Sequence, residues 1–290
     1  MKQPAEKTLE AKVVSPYPTG KAMQLIPNYP PYALPTIHRL GGTAVFTGNL
    51  AQAIAATASA DKVLACEIDP SVVDFYERTR DMIGRTDEFA DFKGKFQSMI
   101  EGVKLTEGRA VQMGALENAG FPFGQEIYDL VRGNLNNVNM TAGEATDFLA
   151  RLKEQGIKAN VVDLNNVPEY FGNWERVMGN LPIKQDGVLF FGKRDNTLIK
   201  ENGALNPGTN VTDKPRVPVM DGLKSIGFQP YETVIITNAT GTTSGIDYKI
   251  ERTKGVSRIA IFEERFKSSG VARITGSYHY LFTTQFQPKR

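Results

Sequence analysis

DKVLACEIDPSVVDFYER, Asp61 to Arg78, is the stretch whose reading decides the fold. It opens with a short apolar run, Val63, Leu64, Ala65 and Cys66, and then carries Glu67 and Asp69 around Ile68. A short apolar run bounded by turn signals reads as a buried strand. Asp69 stands where a helix N-cap belongs, and Pro70 stands at the first helical position, where its missing N–H costs nothing. Val72, Val73, Tyr76 and Met82 continue an apolar helix face. The pattern is a strand that ends in carboxylates and turns at once into a helix. In open α/β sheets ligands bind outside the carboxyl ends of the strands, and an acid at that edge can hold two ribose hydroxyls. Glu67 is the leading candidate for that task, and Asp69 is read as a cap.

The preceding segment, GGTAVFTGNLAQAIAATASADK, repeats the unit. Thr43 to Phe46 form a strand, Thr47-Gly48-Asn49 the turn, and Leu50, Ala53, Ile54 and Thr57 one face of a helix at 3.6 spacing. Asn49 and Thr47 are its candidate caps. Two strand–helix units in succession imply a right-handed crossover and parallel strands. The glycine turn then lies beside the acidic end of the second strand. Residues 1–42 are different in kind: six prolines between Pro16 and Pro35 predict an arm without helix over most of its length. Tyr17, Tyr29 and Tyr32 on that arm either pack as a surface belt or cover a pocket.

Downstream, the spacing of Phe89, Phe92, Phe96 and Met99 predicts a helix, whereas the glycine-rich GRAVQMGALENAGFPFG carries no clear element signal. Ile127 to Asn134 reads as a third strand. Thr141 to Glu144 reads as a capping box that starts a helix with Phe148, Leu149 and Leu152 buried. Ala159 to Leu164 gives a fourth strand running into Asn165-Asn166. A short helix around Trp174 to Met178, a turn at Gln185-Asp-Gly187 and a fifth strand, Val188 to Phe191, follow. Residues 193–219 read as a long polar loop insertion, functional or mobile at that length. A helix near Met220, strands at Glu232 to Asn238, Ile246 to Arg252, Ser257 to Phe262 and Tyr278 to Phe286 close the chain, antiparallel because their connections are short. Residues 43–290 are thus expected to form a single domain behind the arm, an α/β fold with a mostly parallel sheet and an antiparallel C-terminal edge.

Bulk properties narrow the function. The chain has 290 residues and a net charge of +2, which makes no electrostatic case for nucleic acid or an anionic membrane as partner. One cysteine excludes an internal disulfide framework, and Cys66, inside an apolar run, reads as a small buried hydrophobe. The start, MKQPAEKTLEAK, has no apolar h-region, and no stretch approaches about 18 apolar residues. A cytoplasmic protein is expected, of undetermined oligomeric state. His38 and His279 are the only histidines, too far apart in sequence for metal-ligand spacing and without a nucleophile pattern nearby. No metal is expected, and His38, just before the first strand, is the better general-base candidate of the two.

Three motifs in order resemble the class I S-adenosylmethionine-dependent methyltransferase fold, a Rossmann-like doubly wound sheet. ACEIDPSVV is similar to its second-strand acid motif, KQDGVLFF to its fifth-strand entry, and LKSIGFQPYETV to its last helix and sixth strand. The likeness covers roughly residues 41–255. TGNLA is also similar to the tail of that family's glycine motif, an alignment that moves the first strand back onto IHRLGG. The turn holds only Gly48, and the fourth strand ends in DLNNVPEY, unlike the motif of the amino-methylating enzymes of nucleic-acid bases. EIDPSVV is similar to polyamine (aminopropyl) synthases as well, and the sparse turn with Asn-Asn-Val resembles aminocarboxypropyl transferases.

The resemblance implies S-adenosylmethionine as cofactor and a small molecule as acceptor. It implies a cofactor site at Thr47, Gly48, Asn49, Glu67, Ile68, Asn134, Asn165 and Asn166. Asn134 would face the adenine, Asn165 or Asn166 the amino group, and Tyr170 would wall the pocket; each asparagine is otherwise a turn former. His38, Asn165 and Tyr170 are the catalytic candidates. Two functions stand at this point: an S-adenosylmethionine-dependent transferase of methyl, aminocarboxypropyl or aminopropyl groups, or a Rossmann-like binding or scaffold protein without catalysis.

Overall fold

Eight strands join in one sheet, which a computed structural model lays out for residues 23–26, 33–106, 111–113, 121, 124–165, 174–193, 197–201, 204–206, 216–218, 221, 229–240, 246–253 and 274–283. Five of them are parallel neighbours: β5 (Val138–Ala142), β3 (Lys62–Glu67), β2 (Thr43–Thr47), β6 (Ala159–Asn165) and β7 (Ile183–Lys193). β13 (Ile274–Thr283) runs against β7, β11 (Gln229–Thr240) against β13, and β12 (Ile246–Thr253) against β11. The order is therefore β12-β11-β13-β7-β6-β2-β3-β5, an α/β Rossmann-like sheet with an antiparallel C-terminal edge, as the sequence predicts.

The central strands are continuous apolar runs because helices cover the sheet. Ala44, Val45, Phe46, Val161 and Val162 have no exposed surface. The helix after β2, α2 (Leu50–Ala56), is buried at every position and packs on β2 and β3. α3 (Pro70–Gly84) follows β3, with Asp69 as its N-cap accepting a bond from Ser71 N at 3.0 Å and Pro70 at its start. α4 (Phe89–Thr106) turns Phe92 and Phe96 fully inward, as the phenylalanine spacing predicts. There they join Phe75, Tyr76, Phe121 and Tyr128 in a cluster of ring contacts at 5.2–5.9 Å, mostly edge-on or tilted. β1 (Met23–Ile26) pairs in parallel with β4 (Val111–Met113), and the Tyr76 hydroxyl donates to Leu25 O, which fastens this pair to α3. Among the described residues no helix is long and apolar enough to cross a membrane.

Several readings need correction. The arm contains a helix, α1 (Ala33–Leu40), with Ala33, Leu34, Thr36 and Ile37 buried against β6 and α2. Pro35 is tolerated because it falls in the first turn, where its N–H would have no intrahelical partner. That helix also excludes the alignment that puts the first strand on IHRLGG. The third strand is not Ile127 to Asn134: those residues lie in or just after α5 (Gln125–Gly133), with Tyr128 and Val131 buried one turn apart and Leu130 45% exposed. β5 takes the role instead, alternating buried Val138 and Met140 with exposed Asn139 and half-buried Thr141. Thr141 is therefore strand, and Glu144 itself caps α6 (Ala145–Glu154), accepting from Asp147 N at 3.1 Å.

The Gln185-Asp-Gly187 turn lies inside β7 as a bulge, between the β6 pairings of Ile183 and Val188. The insertion is not structureless: β8 (Thr197–Glu201), β9 (Ala204–Asn206) and β10 (Arg216–Pro218) form a three-stranded antiparallel sheet. The helix read near Met220, apart from Asp221, and the strand read at Ser257 to Phe262 lie outside the described residues.

The α5 assignment has a direct test. Leu130→Lys should change stability by no more than about 0.5 kcal/mol, as for an ordinary surface site. Val131→Ala on the opposite face should cost about 1–3 kcal/mol in urea unfolding; the reverse ranking would overturn the helix.

Candidate functional site

From β2 the chain moves outward to β3 and β5, then crosses back to β6 on the other flank of β2. The order reverses between β2 and β6, and the crevice outside their carboxyl ends is where open α/β sheets bind ligands. Thr47, buried at the end of β2, spans it: its hydroxyl lies 3.3 Å from Asp163 O and 3.4 Å from Leu164 O. The hydroxyl is thus committed to β6 and does not cap α2.

Gly48 and Asn49 follow with φ of 76° and 58°, two left-handed residues in succession. Glycine adopts that region freely and asparagine tolerates it. Gly48 N donates to Cys66 O at 2.7 Å, which binds the turn to the end of β3. Asn49 caps α2 with its carbonyl, which accepts from Gln52 N and Ala53 N at 3.1 and 3.2 Å. Its side chain makes no cap bond, and both amide atoms, Oδ1 and Nδ2, are buried without a hydrogen-bond partner among the described residues. A buried polar group left unpaired costs about 1–3 kcal/mol. The Asn49 amide thus keeps an NH2 donor group and a carbonyl acceptor uncommitted, buried beneath the carboxyl edge of β2.

Glu67 ends β3 beside this turn. Its Oε1 accepts from Ile68 N at 2.8 Å and from Asp69 N at 3.3 Å, so Ile68 contributes through its backbone. Oε2 receives no bond from the described residues. Burial pushes the Glu67 carboxyl above the ordinary range, against the two amide bonds that pull it down, and the nearby Asp69 carboxylate adds to the rise. Cys66, on the adjoining position, is buried and its thiol is pushed far up by the same desolvation, which leaves it inert.

The end of β5 completes this side. Gly143 N donates to Glu67 O at 2.9 Å, and Glu144 follows at once. The sequence reads Glu144 only as part of a capping box and Gly143 not at all, because it puts the third strand eight to eleven residues too early; VNMTA before Gly-Glu is the signal that finds the strand. Asn134, by contrast, ends α5 ahead of β5, at the amino end of that strand, and its Nδ2 donates to Leu130 O at 3.0 Å. His38 is exposed on the last turn of α1, at the amino end of β2, and what burial it has lowers its pKa. Asn165 is the last residue of β6 and pairs with Phe191. Asn166 and Tyr170 lie outside the described residues. The structure therefore brings Thr47, Gly48, Asn49, Glu67, Ile68 and the backbone of Asn165 to one edge and leaves Asn134 and His38 at the other.

No protein-family model matches the chain, and no curated protein matches it in sequence. Among solved structures it is similar to a precorrin 8w decarboxylase from Methanobacterium thermoautotrophicum, at 9% identity over 89% of this chain and 92% of that one, with a TM-score of 0.39. A S-adenosylmethionine-dependent methyltransferase from Archaeoglobus fulgidus gives 9% identity, 86% and 88% coverage and a TM-score of 0.38. A possible histamine N-methyltransferase from Thermotoga maritima gives 10%, 85% and 82%, and 0.37. These are likenesses of fold alone, and the fold itself stands on the strand order.

Glu67 allows the edge to be tested without a ligand. A carboxyl whose folded pKa is raised is stabilised as the acid, so stability present below its unfolded value, near 4.3, is lost as pH rises through the folded value. Glu67→Gln keeps the Oε1 acceptor and removes the charge. It should raise the melting temperature at pH 7.5, with the gain shrinking as pH falls towards about 4; a loss of stability at pH 7.5 would contradict the burial of an ionised group here.

Proposed function

We propose that this chain binds S-adenosylmethionine across the β2–β6 crevice and transfers a group from it to a small molecule. The observation that carries the reading is the Asn49 amide, buried and, among the described residues, unpaired on a left-handed turn at the switch point, one strand from the Glu67 carboxylate. An α-amino acid end presents a carboxylate and an ammonium, which suit Nδ2 and Oδ1 of one primary amide. A ribose presents two adjacent hydroxyls, which suit the Oε2 that the described residues leave unbonded. Thr47 would hold the two strand ends apart at fixed spacing, and Gly48 would let the backbone come close.

When bound, the sulfonium supplies an electrophilic carbon with a thioether leaving group already in place. The protein's share is then mainly to bind and orient, and the enzyme needs no nucleophile of its own. Cys66, buried and held as the thiol, is consistent with that division. The group transferred is methyl or aminocarboxypropyl from S-adenosylmethionine itself, or aminopropyl from its decarboxylated derivative; S-adenosylhomocysteine as product marks methyl transfer, a methylthioadenosine either of the others, and the donor consumed separates those two.

Calorimetry with S-adenosylmethionine and S-adenosylhomocysteine should show binding to the intact chain. Glu67→Ala should weaken it about 10–100-fold, the effect of losing hydrogen bonds to a charged group. No heat from either compound at high protein concentration would sink the reading. Asn49→Gly keeps the left-handed backbone and removes the unpaired amide, so it should raise the melting temperature while lowering affinity about tenfold or more; unchanged affinity would remove Asn49 from the site.

A further inference from the structure

The two histidines lie at opposite edges of the sheet. His38 precedes β2, whereas His279 lies on β13, paired with Gly192 of β7 on one side and with Val234 of β11 on the other. Across β7, Phe191 pairs with Asn165, the last residue of β6. Gly192 is therefore the first β7 position beyond the end of β6, and His279 is level with it on the rim of the crevice. Two strand spacings of ~4.8 Å separate it from β6, about 10 Å. Gly192 leaves the rim position between them without a side chain, and glycine inside a strand often marks a place where a ligand approaches the backbone closely.

Beyond this point the ladder continues without β7. Ser277, Gly276, Thr275 and Ile274 pair with Ile236, Thr237, Asn238 and Ala239 of β11, while the β13–β7 pairing stops at Tyr278 and Lys193. The same stretch of β11 pairs with β12 from Ile250 to Asp247. Four residues at ~3.3 Å carry this three-stranded ribbon about 13 Å past the last β7 pair. His279 thus stands at the foot of a wall beside the crevice, on the side of β6 away from Glu67.

We propose that His279 is the general base that takes a proton from the acceptor, which makes the acceptor an amine or hydroxyl compound whose reacting atom carries hydrogen. This rests on the S-adenosylmethionine reading above. The N–H or O–H proton passes to the imidazole nitrogen, and the electron pair so freed forms the bond to the transferred carbon. The carbon–sulfur bond breaks with its pair kept on sulfur, giving a neutral thioether, and the protonated histidine returns its proton to water. A neutral imidazole near pH 7 suits such a step, which general-base catalysis accelerates about 10²–10⁴-fold.

With only two histidines, the full-length chain labelled at histidine gives ring signals that His38→Gln alone assigns by elimination. S-adenosylhomocysteine, at a concentration that calorimetry shows to be saturating, should shift the His279 signals and leave those of His38 in place. The His279 titration midpoint should lie near or below the ~6.5 of a free histidine. A bound thioether that leaves His279 unmoved, or a midpoint above about 8, overturns the assignment while the cofactor reading survives. Failure of the thioether to bind removes the cofactor reading, and this inference with it.

Discussion

Everything at the crevice depends on the parallel pairing of β2 between β3 and β6. Thr47 is opposite Cys66 on one side, and its hydroxyl meets the carbonyls of Asp163 and Leu164 on the other. Because Ala44, Val45 and Phe46 are buried, a slip of one residue would move every side chain to the wrong face, so the register is strongly fixed. Gly48 N is bonded to the carbonyl at the end of β3, and Gly143 N to the carbonyl of Glu67. The ends of β2, β3 and β5 are thereby tied laterally at one level, and the turn, the acid and Glu144 have little freedom to drift.

The two edges of the sheet are built on different terms. At the amino edge Asn160 Oδ1 accepts from Thr43 N at 3.3 Å, and Gly42, at φ 71°, leaves room for that amide where any Cβ would collide with it. There the Asn160 amide oxygen has its partner and the glycine has a packing reason, although Ser59 Oγ, just before β3, is buried without a partner among the described residues. At the carboxyl edge Asn49 holds a left-handed conformation with its buried amide unpaired, and Glu67 is an acid pressed into a desolvated site. Local conflict of this kind is selected against unless something compensates it, and it clusters where ligands bind. A purely structural turn would be better served by glycine at position 49.

Those conflicts were legible because they lie in one local stretch. Residues 43–69 announce two strands, two turns and an acid by apolar runs and caps alone, and the structure keeps all of them. The fourth strand and the antiparallel strands read at Glu232, Ile246 and Tyr278 are legible for the same reason. Ile127 to Asn134 failed because Ile127, Leu130 and Val131 satisfy a short apolar run, whereas only burial reveals that Tyr128 and Val131 form a helical face and Leu130 does not. β5 was missed because an edge strand with Asn139 and Thr141 has few apolar residues to show. Counting prolines hid α1, since Pro35 alone of the six falls within it and does so in the first turn. Glu144 reads as part of a capping box and His279 as a strand residue, and only the sheet order brings either one to the carboxyl edge.

His279 shows why order matters more than proximity along the chain. In a sheet of parallel strands only the last residue of each strand reaches the crevice, and the following turn does the chemistry. β13 runs the other way, so the residues that reach the rim come from its first half and can overhang it as a ribbon. One wall of the crevice is thus local, built within residues 43–69, and the other is non-local, contributed by a strand inserted between β7 and β11 from far along the chain. Pairing of that kind closes long loops before it is rewarded. On the function proposed above, the local turn-and-acid edge would hold the cofactor and the non-local ribbon would face the acceptor.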